Sequence, residues 1–318
     1  MPGYTGPRCI GATKVVTMEL AMIGLGRMGA NMAQRLLRGG HRVVGYDPAE
    51  APRKGIEDQG GRSAASLEAL IGKLQAPRVV WLMVPAGEIT DSTIGSLTPL
   101  LSAGDTIIDG GNSNYHDTQR RAKAVAARSI NYVDSGTSGG VWGLAEGYSL
   151  MVGGDKAVVE KLRPIFETLA PAPDKGWGHV GPVGSGHYTK MIHNGIEYGM
   201  MQAYAEGLSI LQHKTEFKLD LHQIAEIWRY GSVVRSWLLD LTANALEKNP
   251  TLKGIAPYVS DSGEGRWTAA EAIELGVPAF VITSSLFGRF SSQDSDSFSD
   301  KLLAAMRNQF GGHAIKSE

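Results

Sequence analysis

The sequence contains one cysteine, Cys9, so no disulfide can form within a chain. That scarcity predicts a reducing, cytoplasmic setting. Net charge is nearly absent: 31 basic residues face 32 acidic ones, a formal balance of −1. No concentrated basic surface is therefore expected for nucleic acid or an anionic membrane. No apolar run approaches the ~18 residues that a membrane-spanning helix needs. The opening stretch, "MPGYTGPRCIGATKVVT", lacks a basic start followed by an apolar core and reads as a poor signal peptide. No cluster of His, Cys and carboxylates argues for a metal. What is present is an ordinary globular mixture, 42% hydrophobic and 20% charged over 318 residues, long enough for two domains.

Met18 begins a clean strand, so residues 1–17 read as a peripheral extension. "ELAMIG", "HRVVGYD", "RVVWLMVP", "DTIIDGGN" and "INYVDSGTSGG" are short apolar runs, each ending in turn residues. Helical patterns separate them around Ser66–Lys73, Asp117–Arg128 and Lys156–Leu169. Alternating strands and helices imply a doubly wound α/β fold with a parallel sheet. Beyond Pro182 the pattern is all-helical. A helix of about eight turns runs through "SGHYTKMIHNGIEYGMMQAYAEGLSILQHK", and shorter helices follow near 221–230, 234–248, 269–275, 279–289 and 299–310. The expected domains are 18–181 for nucleotide and 182–318 for substrate and subunit contact.

Gly24-Leu25-Gly26-Arg27-Met28-Gly29 fits G-x-G-x-x-G between a strand and a helix. The first glycine permits the tight turn, the second admits a pyrophosphate and the third lets helix meet strand. The helix N-terminus presents unpaired N–H groups to the phosphates. Asp47 closes the second strand, where a carboxylate accepts hydrogen bonds from the ribose hydroxyls of NAD and repels the 2′-phosphate of NADP. NADP stays open, because Arg42 or Arg53 can pair with a phosphate. Val84, Pro85 and Ala86 after the third strand, and Asn112 after the fourth, complete the expected cofactor-binding set. A glycine turn used only for packing is the plainer alternative.

The stretch "GHYTKMIHNGIEYG" interrupts a helix with hydrogen-bonding groups. At about 100° per residue, Lys190, His193, Asn194, Glu197 and Tyr198 fall within an arc of about 140°. Ile192, Ile196, Gly199 and Ala203 take the opposite side. A base, an acid, an imidazole, an amide and a phenol in one stripe suit a polyol ligand. The plainer alternative is a solvated face with a Lys190–Glu197 ion pair. Ser138, Gly139 and Gly140 end a strand, where ligands collect in open α/β folds, and can offer a hydroxyl and bare backbone to a carboxylate. An ordinary flexible turn there, and an Asx-turn at Asn112, are equally compatible with those stretches taken alone.

Together these residues resemble the 6-phosphogluconate dehydrogenase family, within the β-hydroxyacid dehydrogenases. The broad pattern is Gly24 to Gly29, then Ser138 to Gly140, then Gly186, Lys190 and Asn194. The narrower signature is "KMIHNGIEYG", with "GNS" at Gly111–Ser113, "GRF" at Gly288–Phe290 and "RNQFGGH" at Arg307–His313. The resemblance runs from Met18 to His313 and is closest to the short, NAD-preferring form. It implies a Rossmann-type domain followed by a helical one, and oxidative decarboxylation of 6-phosphogluconate to ribulose 5-phosphate, as in the pentose phosphate route or gluconate utilisation. Lys190 would be the base and Glu197 the acid, with His193 and Asn194 on substrate hydroxyls. Ser138, Gly139, Gly140 and Asn112 join them in the substrate site. Tyr198, Arg289 and Arg307 would hold the phosphate, with His313 from the tail. The family's arrangement implies a homodimer or homotetramer in which the tail completes a neighbour's site. One departure stands out: Ser262 and Glu264 occupy a loop where the long form has a lysine and a threonine, so that either Glu264 points away from the phosphate or Arg266 compensates the acid. Two rival readings remain: another β-hydroxyacid dehydrogenase, acting on 3-hydroxyisobutyrate or tartronate semialdehyde, and a non-catalytic nucleotide-binding regulator.

Overall fold

The computed structural model describes residues 16–316, so the reading of residues 1–17 as an extension falls almost wholly outside the described residues, as does Cys9. The chain forms two compact units that divide after Met191. The first is built from β1 (Glu19–Ile23), α1 (Arg27–Arg38), β2 (Arg42–Tyr46), α2 (Glu50–Glu57), β3 (Arg62–Ala64), α3 (Leu67–Gly72), β4 (Val79–Leu82) and α4 (Glu88–Leu97). It continues through β5 (Thr106–Asp109), α5 (Tyr115–Ala126), β6 (Asn131–Ser138), α6 (Gly143–Glu146), β7 (Ser149–Gly153), α7 (Lys156–Leu169) and β8 (Trp177–Gly181). The strands form one eight-stranded sheet in the order β3-β2-β1-β4-β5-β6-β7-β8.

The central strands read as continuous apolar runs because both faces of the sheet are covered. Leu20, Met22 and Trp81 point to one face and pack with Met32, Leu36 and Phe166 of α1 and α7. Ala21, Ile23, Val80 and Leu82 point to the other and pack with Leu70, Leu97 and Val125. This is the period-two alternation of a strand, filled on both sides. Trp81 meets Phe166 edge-on, with ring centroids 5.9 Å apart.

The sheet departs from the expected parallel pattern at one place: β6 and β7 are antiparallel. A return over Gly139–Tyr148 is too short for the crossover that a parallel neighbour requires. The sequence patterns also pass over β3, β7 and β8. β3 is three residues long with one buried side chain, and β8 is an edge strand whose residues stay partly exposed. Neither gives an apolar run.

Helix α8 (Ser185–His213) is 29 residues long and passes from the first unit into the second. The second unit continues with α9 (Leu221–Arg229), α10 (Trp237–Lys248), α11 (Glu264–Glu274), α12 (Phe280–Gln293) and α13 (Phe298–Gly311), and holds no strand among the described residues. Leu208, Ala225, Leu239, Ala243 and Leu246 form one core cluster there. Tyr198, Ala269 and Leu286 form another, with Phe290 against it. Helix α11 starts at Glu264, earlier than the expected 269, because the polar "EGRWT" buries Glu264 and Thr268 one turn apart. Ile210, Tyr230, Ile273, Phe280 and Phe298 are exposed apolar side chains of this unit. No helix among the described residues is long and apolar enough to cross a membrane.

His41, 3% exposed, ties the end of α1 to α7. Its Nδ1 accepts the Met18 N–H at 3.1 Å, so Nε2 carries the proton and donates to Thr168 Oγ1 at 2.8 Å. Burial pushes the imidazole pKa down from its ordinary 6.5. The neutral ring is therefore the folded form. Its contribution to stability is complete above the unfolded value, and it is lost as pH falls from about 6.5 through the lower folded pKa, because the unfolded chain binds the proton first. Urea midpoints measured across that window should decline for the wild type, and less steeply for His41→Gln. Equal slopes would show that His41 does not govern the decline.

Candidate active site

The glycine turn between β1 and α1 has the shape a dinucleotide needs. Gly24 has φ +87°, and a Cβ there would lie 2.4 Å from the Met83 carbonyl oxygen. A Cβ on Gly29 would lie 1.9 Å from the Gly24 carbonyl oxygen. A Cβ on Gly26 would meet nothing within 4 Å, so this bare backbone opens outward. Gly26 is also the N-cap of α1, with no side chain bonded to the helix start and no acid in the first turn. That leaves the helix N-terminus to an anion. The residues fit a pyrophosphate.

Asp47 fastens the turn. Its Oδ2 accepts the Leu25 N–H at 3.0 Å and its Oδ1 the Ala49 N–H at 2.9 Å. Each carboxylate oxygen keeps a further lone pair for ribose. The arginines differ in availability. Arg42 lies at the opposite end of β2, 3.7 Å from Glu19, which removes it from the ribose position. Arg53 donates to the carbonyl oxygens of Asp47 and Pro48 at 2.7 and 2.9 Å. Val84–Ala86 and Asn112 follow the ends of β4 and β5, on the far side of β1 from β2. Pro85, Ala86 and Asn112 are exposed there.

The first turns of α8 sit directly on the sheet. Asp134 of β6, fully buried, accepts the Gly184 N–H at 2.7 Å and the His187 N–H at 2.8 Å. One carboxylate thereby occupies two donors that a helix start leaves unpaired. A Cβ on Gly136 would lie 2.4 Å from the Lys190 Cβ and 2.6 Å from the Gly186 carbonyl oxygen. Strand and helix touch there through backbone. Lys190 is only 7% exposed. Ser138 follows Gly136 by two positions, so it shares the strand face on which α8 rests. The first unit thus places Lys190 over Gly136, two positions before Ser138 on the same strand. Asp134 and Gly136 were not singled out from sequence, although an acid within "YVDSGTSGG" is the available signal. The same holds for His187, buried with Nδ1 2.7 Å from Thr118 Oγ1.

In the second unit, α8 carries the rest of the polar stripe. Asn194 is 9% and Tyr198 5% exposed, while Ile196, on the expected apolar side, is 52% exposed. The stripe is therefore not a solvated face. His193 and Glu197 are half-buried, with Nδ1 and Oε2 3.9 Å apart, and His193 Nδ1 lies 3.1 Å from Asn194 Oδ1. Tyr198 packs over Gly265, and its hydroxyl accepts the Ser262 N–H at 3.3 Å. The Arg289 guanidinium stacks 3.5 Å from the Tyr198 ring centroid and donates to the Ser260 carbonyl oxygen at 2.8 Å. Glu264 is buried and accepts from the Ser262 hydroxyl. Arg266 does not compensate it. Arg266 instead binds Asp261 through two bonds of 2.8 and 2.9 Å, and this bonding holds the Asp261 carboxyl below its usual range. Arg307 is exposed on α13, and His313 is exposed just beyond it.

Residues 19–181 match the family profile of the NAD binding domain of 6-phosphogluconate dehydrogenase. Residues 186–313 match that of the 6-phosphogluconate dehydrogenase C-terminal domain. The NAD(+)-dependent, decarboxylating 6-phosphogluconate dehydrogenase of Haloferax volcanii is 43% identical over 299 residues, 94% of this chain and 98% of the relative. The fold is similar to that of Plasmodium falciparum 6-phosphogluconate dehydrogenase, with a TM-score of 0.79 and 30% identity over 94% of this chain. This chain spans 66% of that longer protein. Mycobacterium tuberculosis 3-hydroxyisobutyrate dehydrogenase shares the fold at a TM-score of 0.71 and 21% identity, over 92% of this chain and 100% of that one.

The contact between β6 and α8 gives a direct test. Gly136→Ala puts a methyl group into the Lys190 Cβ and the Gly186 carbonyl. A loss of about 1–3 kcal/mol is expected in urea unfolding. Gly178→Ala, in the same sheet but with open space around its Cβ, should lose less. Equal losses would mean that the close approach is not a constraint.

Proposed function

The chain belongs to the 6-phosphogluconate dehydrogenase family, and on that premise we propose that it converts 6-phosphogluconate and NAD to ribulose 5-phosphate, CO2 and NADH. The observation that carries this reading is the burial of Lys190 over Gly136, on the strand that runs on to the Ser138–Gly140 turn. The Haloferax relative bears this activity in its name. The Plasmodium relative is described in complex with NADP+ and with 6-phosphogluconate. The dinucleotide is held by the Gly24–Gly29 turn and Asp47, with Val84–Ala86 and Asn112 beyond. NAD is favoured because the Asp47 carboxylate occupies the place where a 2′-phosphate would bring negative charge. When bound, NAD supplies the hydride acceptor.

Each chain residue then has a defined task. Neutral Lys190 takes the proton of the substrate 3-hydroxyl as hydride leaves C3. An amine does this only when uncharged, a state that burial favours. The resulting ammonium faces the new carbonyl oxygen and stabilises the negative charge that develops as CO2 departs. It delivers its proton to that oxygen, giving the enediol. Glu197 protonates the carbon that lost CO2, and Lys190 recovers the hydroxyl proton. Acid and base stand seven positions apart on one helix, about 10 Å along its axis, a span that a short polyol can bridge. Ser138, Gly139 and Gly140 receive the carboxylate, and His193, Asn194 and Asn112 the hydroxyls. Tyr198 and Arg289, with Arg307 and His313 from a neighbouring subunit, receive the phosphate. In this reading 18–181 is the nucleotide domain and 182–318 the substrate and dimerisation domain. The exposed Ile210, Tyr230, Phe280 and Phe298 support a homodimer or homotetramer.

Incubation with 6-phosphogluconate and NAD should yield NADH and CO2 in equal amounts. Folded protein inactive with both NAD and NADP would overturn the reading. CO2-free oxidation of 3-hydroxyisobutyrate, or reduction of tartronate semialdehyde by NADH, would favour the rival dehydrogenase. Lys190→Met and Glu197→Gln should each slow turnover by about 10²–10⁴-fold, with NAD affinity preserved. A regulator would show the same output with Lys190→Met as without it. Sedimentation should show a dimer or tetramer, and a monomer at assay concentration would exclude the shared site.

A further inference from the structure

Arg121 of α5 is 2% exposed, in a part of the first unit to which the proposed reaction gives no role. Its guanidinium reaches two separate loops. Toward the β4 loop, Nε donates to Asp91 Oδ1 at 2.7 Å and one terminal nitrogen donates to the Gly87 carbonyl oxygen at 3.1 Å. Toward the β5 loop, the other terminal nitrogen donates to Ser113 Oγ at 3.0 Å and approaches Asp109 Oδ2 at 3.5 Å. Asp109 Oδ2 also accepts from the hydroxyls of Ser113 at 2.9 Å and Tyr132 at 3.0 Å. Asp109 Oδ1 accepts the Gly111 N–H at 3.3 Å. Arg121 bonding holds the Asp91 carboxyl below its usual range.

These contacts bracket the exposed positions. Gly87 ends the Val84–Ala86 stretch, and Thr90 ties it again by donating to the Pro85 carbonyl oxygen at 2.9 Å. Gly111 and Ser113, fixed by Asp109 and Arg121, stand on either side of Asn112. The two loops also touch: a Cβ on Gly111 would lie 2.9 Å from the Val84 carbonyl oxygen. The adenosine half of a dinucleotide belongs to the Gly24 turn and Asp47, at the β1–β2 side. The other half then lies across β1, toward β4 and β5. One buried guanidinium therefore sets the spacing of the two loops facing that half.

We infer that Arg121 is a positioning residue that holds the Val84–Ala86 and Asn112 loops in register for the nicotinamide half of the cofactor. This rests on the nucleotide assignment and not on decarboxylation. A planar fork is required, because a lysine ammonium can serve one loop but cannot span both.

The test is binding alone, by calorimetry on the whole protein, with NAD and with ADP as probes. Arg121→Lys keeps a cation beside Asp109. Asp91→Ala removes the Nε acceptor, one of the two bonds on the β4 side, at a half-exposed carboxylate. Both variants should bind NAD about tenfold or more weakly, with ADP affinity within about twofold of wild type. Thermal melts check folding; if Arg121→Lys fails to fold, Asp91→Ala decides. Equal losses for ADP and NAD would reduce Arg121 to scaffolding, and unchanged NAD affinity would overturn the inference outright. Neither result depends on 6-phosphogluconate being the substrate, so failure of that reading is read separately, in the turnover assay.

Discussion

The Asp134 carboxylate is the contact on which the proposed chemistry depends. It is fully buried and accepts two N–H groups at the start of α8. A buried charge is tolerated only where hydrogen bonds replace its water. Here the helix start provides those bonds, and its dipole favours the negative charge. The strand in turn fixes where the helix begins. Gly136 and Gly186 then let backbone meet backbone. A Cβ on Gly186 would lie 2.4 Å from the Met151 carbonyl oxygen of β7. The antiparallel β6–β7 pair thus forms the floor for the helix that carries Lys190.

From that anchor, position along α8 follows from helix geometry. Lys190, Asn194 and Tyr198 succeed one another at one-turn intervals and are all buried. A helix normally turns its apolar side inward, yet here Ile196 is exposed and the polar side is covered. Buried polar groups require partners. Tyr198 has Ser262 and the stacked Arg289, and Asn194 has His193. An inward polar stripe is the cost of a site within a helix, and it distinguishes this stretch from a solvated face in a way that periodicity alone could not.

Much of this was legible in the residue pattern. The β1–turn–α1 unit was, because its glycines are dictated by local backbone geometry. The central strands were, because burial on both faces makes them uniformly apolar. The polar stripe was visible as an arc, but not as the buried side. β3 and β8 were not legible, since edge strands bury too little to leave a pattern. Nor was β7, an interior strand with Leu150 and Val152 buried, because its short "SLMVG" run gives little periodicity to read. Asp134 and Arg121 were hidden for a different reason. Their partners lie 50 and 30 residues away in sequence, and a long-range pairing leaves no local periodicity. Arg42 illustrates the converse: strand register, invisible in sequence, puts it beside Glu19 rather than near the ribose.

The charges around Tyr198 show how packing reassigns groups of similar type. Arg266 is committed to Asp261 by two bonds and lies over the Phe290 ring, 4.4 Å from its centroid. Arg289 donates one bond to Ser260 and stacks on Tyr198, and a guanidinium has five N–H donors. Stacking orients its plane without consuming them all, so Arg289 retains directed capacity for a dianion. Glu264 looks in sequence like an opponent of phosphate. In the fold it is buried in the first turn of α11, bonded to the Ser262 hydroxyl. Its charge there meets the positive end of that helix, which weakens its effect on an anion at Tyr198. In the proposed phosphate site the acid is engaged by its own helix, which leaves Arg289 with Tyr198 as the groups that would supply recognition without a lysine in this loop.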